Sequence, residues 1–513
     1  MDAAPLTART GPTATSRATH WLRIDPWIAA ALVCGIALRL FRLDEAALWL
    51  DETETAIWTS LSPDQIVDTV FNRERFGRYD VRHLPLYFVA VTLWTKLVGL
   101  SPFLLRLPSV VFSTLSIGTT AALAHTLAGL RAARWAAWLA ALSPFLIHHA
   151  QEARMYPLIS LLAGLSLLLL VRYLHGLSSR LGIAFVLVNA ALLATHYYTS
   201  FLIAGELLLL LYLHPRPHRS WFPAACVCAL CGLLLTYIAL FLTKQTSGEV
   251  YEIGLFAFPG VVWSMLSGYA LMPSAEELHA LGRAAIMPYL PYALAMALPV
   301  LVLTWTGLRA LSSRARLFVI VLLVCIFLGP FLAATVFPKI SLNPRYFTAG
   351  AGLILVVIAA GMPRPGAALW RTAAGAAVFG VMAFAVAMQL SEPGQKREDV
   401  LAAGAWLERN VAANQELVVT SDEMASLAYF HWPQRKIHIH PPPHVVADAK
   451  TAEQLAANLP FNGNARTIYV FGRSWLSDPD NALEQAVINK YTSCGSTAVR
   501  GIRIYCLLAP SRR

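Results

Sequence analysis

Twelve long apolar segments constrain the fold of this 513-residue chain more than any other feature. A helix of about 20 predominantly apolar residues crosses a bilayer, so segments of this kind are candidate transmembrane helices. Hydrophobic residues make up 57% of the chain and charged residues only 13%, which is typical of a polytopic all-α membrane protein. The segments lie at about 26–43, 84–101, 104–128, 132–149, 157–174, 181–197, 199–214, 220–242, 286–308, 316–336, 346–362 and 370–390.

The arginines between these segments predict which of them cross the membrane. Residues 1–25 are polar and contain Arg9, Arg17 and Arg23, so we expect a cytoplasmic N-terminus followed by an uncleaved first span. If segment 84–101 crossed as well, five later arginine-bearing linkers would lie outside, which reverses the positive-inside rule. If that segment instead lies along or re-enters the outer face, all five linkers are cytoplasmic. We therefore predict eleven spans in a plasma (inner) membrane, with the C-terminus outside.

This topology divides the chain into three regions. They are a cytoplasmic segment 1–25, a transmembrane domain 26–391 with a first external loop at 44–103, and an extracytoplasmic domain 392–513. The net charge of +11 is carried largely by the linker arginines, so it reports topology and gives no indication of nucleic-acid binding. The last region has normal charge density and predicts a small α/β domain. Its predicted helices are 397–411, 422–431, 451–458 and 481–490, and its predicted strands are Glu416–Ser421, Lys436–His440, Thr467–Phe471 and Ala498–Leu507.

The cysteines fall into two classes. Five lie inside apolar segments, where free cysteine behaves as a small hydrophobic residue. Three of these cluster at 226–231, but no histidine or second ligand pair accompanies them, so they make a poor zinc site. Cys494 and Cys506 lie in the polar C-terminal region, where an extracytoplasmic location would permit a disulfide.

Acidic residues follow the first apolar segment directly. Asp51, Glu52 and Glu54 stand behind Trp49 where a membrane meets water, and acids in such a place indicate a catalytic or binding role. The alternative for Asp51 and Glu52 is the capping of a helix N-terminus. Later in the same loop, His83 is either a site residue or an interfacial hydrogen-bonding residue.

Further polar residues are predicted on the same face. The loop Gln151–Tyr156 contains Glu152 and Arg154, for which a local ion pair is the alternative to a functional role. His196 and Tyr197 occupy the next short loop, where an aromatic belt explains them equally well.

The loop before residue 346 contains two cations and no acid, against the positive-inside trend. Lys339 and Arg345 both lie on the predicted outer face, and a guanidinium such as that of Arg345 can form paired hydrogen bonds to a phosphate. Snorkelling to lipid headgroups is the alternative. Carboxylates together with a cationic phosphate site suit the transfer of a group from a lipid phosphate, since a base must meet the reacting hydroxyl and cations must stabilise the leaving phosphate.

At these residues the chain resembles the C-type superfamily of integral membrane glycosyltransferases, in particular its branch of protein O-mannosyltransferases and lipid A aminoarabinose transferases. The family often has His-Pro-Pro-Leu where this chain has His-Leu-Pro-Leu. The matching motifs are Leu48-Trp49-Leu50-Asp51-Glu52, His83-Leu84-Pro85-Leu86-Tyr87, Arg106-Leu107-Pro108-Ser109, Gln151-Glu152-Ala153-Arg154-Met155-Tyr156 and Asn343-Pro344-Arg345-Tyr346-Phe347.

The resemblance implies a polyprenyl-phosphate sugar donor, an acceptor hydroxyl on a lipid, glycan or protein, and inversion at the anomeric carbon. Asp51 would be the general base and Glu52 its support. The donor phosphate would be held by Arg345, Lys339 and Tyr346. The residues implied in binding sugar or acceptor are His83, Glu152, Arg154, Tyr156, His196 and Tyr197. Some relatives use a divalent metal, but this sequence has no decisive ligand set, so no cofactor is assigned.

Two other classes of protein would also have many apolar segments. A lipid or sugar transporter or flippase usually has polar or broken helices near the membrane midplane, often in repeated halves. Here the polar clusters collect on one face and no repeat is visible. A structural assembly protein, whose acids only cap helices, is the third interpretation. The charge distribution favours an enzyme surrounded by membrane lipids.

Overall fold

A computed structural model describes most of the chain. The described residues are 25–71, 84–176, 178–213, 217–243, 257–274, 277–278, 281–336, 342–392, 397–442, 446, 448–461, 466–473, 478 and 480–508. Two predicted site residues, His83 and Lys339, lie outside these ranges.

The described residues up to 391 form helices joined by loops and turns. The first helices are α1 Pro26–Leu40, α2 Leu50–Trp58, α3 Pro63–Phe71, α4 Pro85–Val98, α5 Pro102–Ala128, α6 Leu130–Ala141, α7 Pro144–Ala150, α8 Tyr156–Gly176 and α9 Ser179–Thr195. They are followed by α10 Thr199–Leu213, α11 Pro217–Thr243, α12 Ala257–Ser267, α13 Leu290–Ala310, α14 Ser313–Leu323, α15 Gly329–Val336, α16 Thr348–Gly361 and α17 Leu369–Ser391. Short 3₁₀ helices at Gly282–Tyr289 and Pro344–Phe347 precede α13 and α16, and a π-helical turn at Val324–Leu328 joins α14 to α15.

Length and composition support the membrane assignment. Among the described residues, six helices are long and apolar enough to cross a bilayer, and five shorter apolar helices accompany them. The chain is therefore an integral membrane protein, whereas the count of eleven spans and their orientation stay predictions. One predicted segment, 132–149, is divided into α6 and α7 around Leu142 and Ser143. The division is physical, because Pro144 cannot continue a helix and Ser143 caps the new one through the Leu146 amide.

Small residues and one buried arginine hold the membrane helices together. A Cβ atom on Gly307 of α13 would lie 2.0 Å from the Val357 carbonyl oxygen of α16, so these helices pack backbone to backbone. Arg39 of α1 is fully buried. Its guanidinium donates to the Ser113 hydroxyl of α5 and to the carbonyls of Ala140 and Ala141, at 2.8–3.1 Å. These bonds satisfy the guanidinium and fix α1 against α5 and α6.

The C-terminal region is a five-stranded α/β domain. Its strands are β1 Glu416–Val419, β2 Lys436–Ile439, β3 Thr467–Gly472, β4 Thr492–Val499 and β5 Ile502–Leu508, in the order β2-β1-β3-β5-β4. Its helices are α18 Val400–Asn410, α19 Asp422–His431, α20 Ala449–Asn458 and α21 Ala482–Lys490. The pairs β2–β1 and β1–β3 are parallel, and β5 is antiparallel to both β3 and β4.

The prediction of a single strand at Ala498–Leu507 is wrong. The chain reverses at Gly501, whose φ of +74° suits glycine, and two antiparallel strands result. The disulfide that the sequence left open forms between Cys494 of β4 and Cys506 of β5. It links the two strands of this hairpin.

Candidate functional site

Asp51 lies in the first turn of α2, and its side chain faces two arginines from distant parts of the chain. Trp49 is the N-cap residue of α2, so Asp51 does not cap the helix with its side chain, although the helix dipole favours an acid in the first turn. The Asp51 carboxylate accepts a hydrogen bond of 2.6 Å from Arg345 Nη1, and Arg154 Nη2 lies 3.8 Å away. Its side chain is only 14% exposed.

The arginines decide the charge state of Asp51. Burial raises the pKa of this carboxyl, but the charges of Arg345 and Arg154 lower it by more, so the pKa of Asp51 lies below its ordinary value. Asp51 is therefore an ionised carboxylate at neutral pH and can accept a proton.

Glu52 has a different set of contacts from its neighbour. It is fully buried, and both of its carboxylate oxygens accept hydrogen bonds of 2.7 Å from Arg106 of α5. Its Oε1 atom also accepts from the Ala153 amide at 2.9 Å. Arg106 in turn donates to the Leu43 carbonyl at 2.7 Å. Glu52 thus joins α2 to α5 and to the loop after α7, which fixes the position of Asp51.

Glu152 is not paired with Arg154, so the local ion pair is not the explanation for this loop. Its carboxylate is 2.7 Å from Arg397 Nη2, 3.0 Å from His149 Nδ1 and 3.2 Å from His148 Nε2. Burial raises the pKa of Glu152, but His148, His149 and Arg397 together lower it well below its ordinary value. Glu152 is therefore ionised at neutral pH.

Arg154 is turned towards α2. It is fully buried and donates to the Asp51 carbonyl oxygen at 2.9 Å. A longer contact of 3.7 Å reaches Glu54, the third acid of the run that begins at Asp51. The guanidinium also lies 5.8 Å from the centre of the Phe88 ring, within the range of a cation–π interaction.

Aromatic rings surround Arg345. Its guanidinium carbon lies 5.9 Å from the Trp49 ring centre, 5.8 Å from Tyr156 and 5.7 Å from Tyr346. His196 lies 5.2 Å from the Tyr346 ring and is stacked on Tyr197 at 4.7 Å. The fold therefore brings His196 and Tyr197, from the short loop after α9, to the aromatic residues around Arg345.

His196 is buried beside two cations. Burial lowers the pKa of His196 to about 3, and the charges of Arg345 and Arg154 contribute to the shift. Its Nδ1 atom accepts a hydrogen bond of 3.2 Å from the Tyr198 amide. His196 is therefore neutral at physiological pH and adds no further positive charge beside Arg345 and Arg154.

Several polar atoms near Arg345 are buried without a hydrogen-bond partner among the described residues. Most buried polar atoms in proteins have partners, so such a concentration marks a place where water or a ligand can bind. These atoms are Trp49 Nε1, His149 Nε2, the Tyr156 and Tyr269 hydroxyls, and Arg345 Nε.

One group of described side chains has the composition of a metal site. Ligand atoms of His148, His149 and Glu152 lie within 4.8 Å of one another. Both Glu152 oxygens, however, already face the two histidines, and one of them also accepts from Arg397. A divalent cation would have to share that carboxylate with a guanidinium, so the group fits a metal poorly and we derive no catalytic step through one.

The structure brings most of the predicted site residues together, and their individual roles stay predictions. Arg106 and Arg397 were not assigned to the site from the sequence. Arg106 stands in the Arg106-Leu107-Pro108-Ser109 motif, which was the available signal. Arg397 lies at the start of the C-terminal region, shortly after the last apolar segment, without any distinguishing pattern. We call Asp51, Glu52, Glu152, Arg106, Arg154, Arg345 and Arg397 the charged cluster.

Comparison of the whole fold with solved structures finds clear similarity despite low sequence identity. The apo form of ArnT from Cupriavidus metallidurans matches with a TM-score of 0.52 at 13% identity, over 94% of this chain and 97% of ArnT. The same protein bound to undecaprenyl phosphate matches with a TM-score of 0.50 at 14% identity, over 95% and 98%. The archaeal oligosaccharyltransferase AglB from Archaeoglobus fulgidus, in complex with an inhibitory peptide and a dolichol-phosphate, matches with a TM-score of 0.53 at 12% identity, over 94% and 74%.

No protein-family model matches the chain, and no curated protein sequence matches it. The similarity therefore rests on the arrangement of helices and of the C-terminal domain. It extends over nearly the whole chain, and ArnT and AglB are both C-type glycosyltransferases. This chain has the fold of the C-type integral membrane glycosyltransferases.

Proposed function

We propose that this protein is a glycosyltransferase that moves a sugar from a polyprenyl-phosphate donor to an acceptor hydroxyl at the extracytoplasmic face. The observation that carries the proposal is the ion pair between Asp51 and Arg345, at 2.6 Å, within a C-type glycosyltransferase fold. It pairs an ionised carboxylate with a guanidinium, so a base and a phosphate ligand stand side by side. ArnT, which has a similar fold, binds undecaprenyl phosphate, and AglB binds a dolichol-phosphate.

Asp51 is the proposed general base. The acceptor oxygen attacks the anomeric carbon while the hydroxyl proton passes to the Asp51 carboxylate. The bond between the anomeric carbon and the donor phosphate oxygen breaks, and its electron pair stays on the phosphate. Attack opposite the leaving phosphate inverts the anomeric configuration.

Arg345 is the proposed ligand of the leaving phosphate. Its Nε atom has no hydrogen-bond partner among the described residues, whereas its Nη1 atom contacts Asp51. A phosphate oxygen bound to this guanidinium would therefore gain a donor that the described part of the protein leaves unused. The charge of Arg345 would stabilise the negative charge that develops on the phosphate as the sugar departs.

The surrounding residues have supporting roles in this proposal. Glu52 holds α2 through Arg106, and Arg154 holds the α2 backbone at Asp51. Aromatic side chains line the space around Arg345 and offer ring faces and hydroxyl groups to a sugar. They are Tyr156, His196, Tyr197 and Tyr346.

The central test is Asp51→Asn in purified protein reconstituted into liposomes with a panel of polyprenyl-phosphate sugars. Loss of a general base lowers turnover by about 10²–10⁴-fold, and we expect a loss in that range with donor binding retained. Asp64→Asn is the matched control, because Asp64 is an exposed acid of α3 in the same predicted loop. Undiminished transfer by a folded Asp51→Asn protein would refute the assignment of the base.

A further inference from the structure

The linker that begins the C-terminal domain extends a side chain into the charged cluster. The Arg397 carbonyl oxygen accepts a hydrogen bond of 2.6 Å from Arg500, in the turn between β4 and β5. The chain is held similarly two residues later, since the Asp399 amide donates to the Arg500 carbonyl at 2.9 Å. The backbone of Arg397 is thus fixed to the C-terminal domain.

The side chain of Arg397 contacts two acids of the membrane domain. Its Nη2 atom donates to Glu152 at 2.7 Å, and its Nη1 atom lies 3.5 Å from Glu52. The guanidinium also lies 5.4 Å from the ring centre of Trp49, the N-cap residue of α2. Only 15% of the side chain is exposed, so solvent screens these contacts weakly.

Other contacts hold α2 to the same domain. The Thr53 hydroxyl donates to the Ser426 hydroxyl of α19 at 3.4 Å, and His431 donates to the Leu48 carbonyl at 2.7 Å. Leu50 packs against the apolar core of the C-terminal domain. The helix that carries Asp51 is therefore enclosed between the membrane domain and the C-terminal domain.

We propose that Arg397 is a positioning residue for the transfer reaction and that the C-terminal domain is part of the catalytic unit through it. This inference rests on the proposed function, because it assigns Arg397 the task of fixing Asp51 relative to Glu152 and Arg345. The described ion-pair partners of Arg397 are Glu152 and Glu52, and its contact with the surroundings of Arg345 is through the Trp49 ring, so we assign it a role in geometry and not in donor binding.

The test compares Arg397→Ala, Arg397→Lys and the exposed control Arg409→Ala in reconstituted protein. A small displacement of a catalytic group can lower turnover by about 100-fold, so we expect a loss of that order in kcat for Arg397→Ala with little change in donor KM. Lysine retains the charge but not the planar fork, so Arg397→Lys should recover part of kcat. Arg409 lies on the exposed face of α18, and its variant should equal the wild type.

Two results would overturn the inference. One is an unchanged kcat in Arg397→Ala, and the other is a raised donor KM at constant kcat, which would make Arg397 a donor ligand. Hydrogen exchange of the α2 amides provides a readout that needs no activity, and we expect faster exchange in Arg397→Ala than in the wild type. If the wild type transfers no sugar, the proposed function fails, whereas the exchange result still tests Arg397.

A separate feature is a carboxyl group inside the membrane domain. Glu206 of α10, Ser166 of α8 and Asn189 of α9 are all fully buried. Ser166 donates to Glu206 Oε1 at 2.7 Å, and the Asn189 amide donates to Ser166 at 2.9 Å. We call these three residues the Glu206 group.

The Glu206 group contains two oxygens without hydrogen-bond partners among the described residues. These are Glu206 Oε2 and Asn189 Oδ1, both buried, and Glu206 forms no ion pair with any described residue. An isolated ionised carboxylate is highly unfavourable in a medium of low dielectric constant. Hard metal ions bind several oxygen ligands. A protonated carboxyl group needs only one hydrogen-bond acceptor for its O–H group.

We propose that Glu206 is a proton-binding site and that the neutral acid joins α8, α9 and α10. The proton on Oε2 turns an acceptor into a donor, and Asn189 Oδ1 is an acceptor in the same group that no described donor uses. A protonated Glu206 leaves the group without net charge, and its Oε2–H can donate where the ionised carboxylate could only accept.

Infrared difference spectroscopy of the wild type against Glu206→Gln tests this proposal at neutral pH. We expect a C=O stretching band of a protonated carboxylic acid that shifts on deuteration, and Ser166→Ala should change its frequency because a hydrogen bond to Oε1 is lost. Glu453 is exposed on α20, and Glu453→Gln is the control. The difference spectrum of the wild type against Glu453→Gln should not contain this band. Carboxylate bands alone would overturn the proposal, and carboxylate bands that respond to Na⁺ would assign the site to a cation.

Discussion

The charged cluster and the Glu206 group both bury carboxyl groups, but they surround them differently. In the charged cluster, arginines lie within 2.6–2.7 Å of Asp51, Glu52 and Glu152. In the Glu206 group, the described partners are the hydroxyl of Ser166 and, through it, the amide of Asn189. The charged cluster keeps ionised groups near the proposed reaction. The Glu206 group, with its proposed neutral acid, contains polar atoms without charge. Ionised acids and cations are thus kept together where the chemistry requires charge.

The largest effect in this comparison should come from Arg106→Ala. Removing one partner of a buried ion pair costs about 3–5 kcal/mol, and here Glu52 would lose two hydrogen bonds of 2.7 Å and keep only the longer 3.5 Å contact with Arg397 as a counter-charge. Denaturant unfolding in detergent micelles would measure the change. Glu206→Gln should leave the free energy of unfolding nearly unchanged, because glutamine resembles the neutral acid.

A double variant sharpens this prediction. Adding Glu52→Gln to Arg106→Ala removes the stranded charge, so part of the lost stability should return. An Arg106→Ala protein as stable as the wild type would mean that Arg397, 3.5 Å from Glu52, balances this buried charge without Arg106.

The next effect concerns the binding of donor lipid. Arg345→Lys keeps the positive charge but loses the planar pair of donors, and we expect the affinity for polyprenyl phosphate to fall about tenfold, which corresponds to about 1.4 kcal/mol. Titration calorimetry with the lipid in micelles would measure it. Glu206→Gln is the control and should bind as the wild type does. Equal affinity in Arg345→Lys would contradict the assigned phosphate site.

The smallest effect should appear in the pH dependence of stability. The pKa values of Asp51 and Glu152 are lowered in the folded protein, so the unfolded chain takes up more protons as the pH falls. The stabilisation that these two ionised carboxylates give the folded protein is complete above their unfolded-state pKa values of about 3.9 and 4.3. It is lost as the pH falls through their lower pKa values in the folded protein. Unfolding measured below about pH 5 should therefore show falling stability, with a shallower slope in Glu152→Gln. Stability that rises on acidification would contradict the charge assignment.

Much of the fold could be predicted from local sequence. The apolar segments correspond to helices where they are described, and the predicted strands Glu416–Ser421 and Thr467–Phe471 agree with β1 and β3 to within two residues. These features depend on periodicity and composition within a single segment, which sequence contains directly. The hairpin β4–β5 was missed because its turn at Gly501 lies inside an otherwise strand-like run.

The site was only partly predictable. Asp51, Glu152 and Arg345 stood out because acids and cations at the ends of apolar segments have no packing role. Arg397 carried no such signal, since it lies in a polar stretch where arginine is ordinary. Glu206 lies inside an apolar segment and was not singled out, although a carboxyl group there has no local partner in sequence.

The sequence by itself determined that this chain spans a membrane and that polar residues lie at the ends of its apolar segments, because burial of apolar residues depends on composition and periodicity. Only the tertiary structure decided the pairing of charges. Asp51 and Arg345 are 294 residues apart and Glu152 and Arg397 are 245 apart, yet each pair lies within 2.7 Å. Electrostatic interactions act over a few ångströms of space, and distance along the chain does not specify which charges will meet.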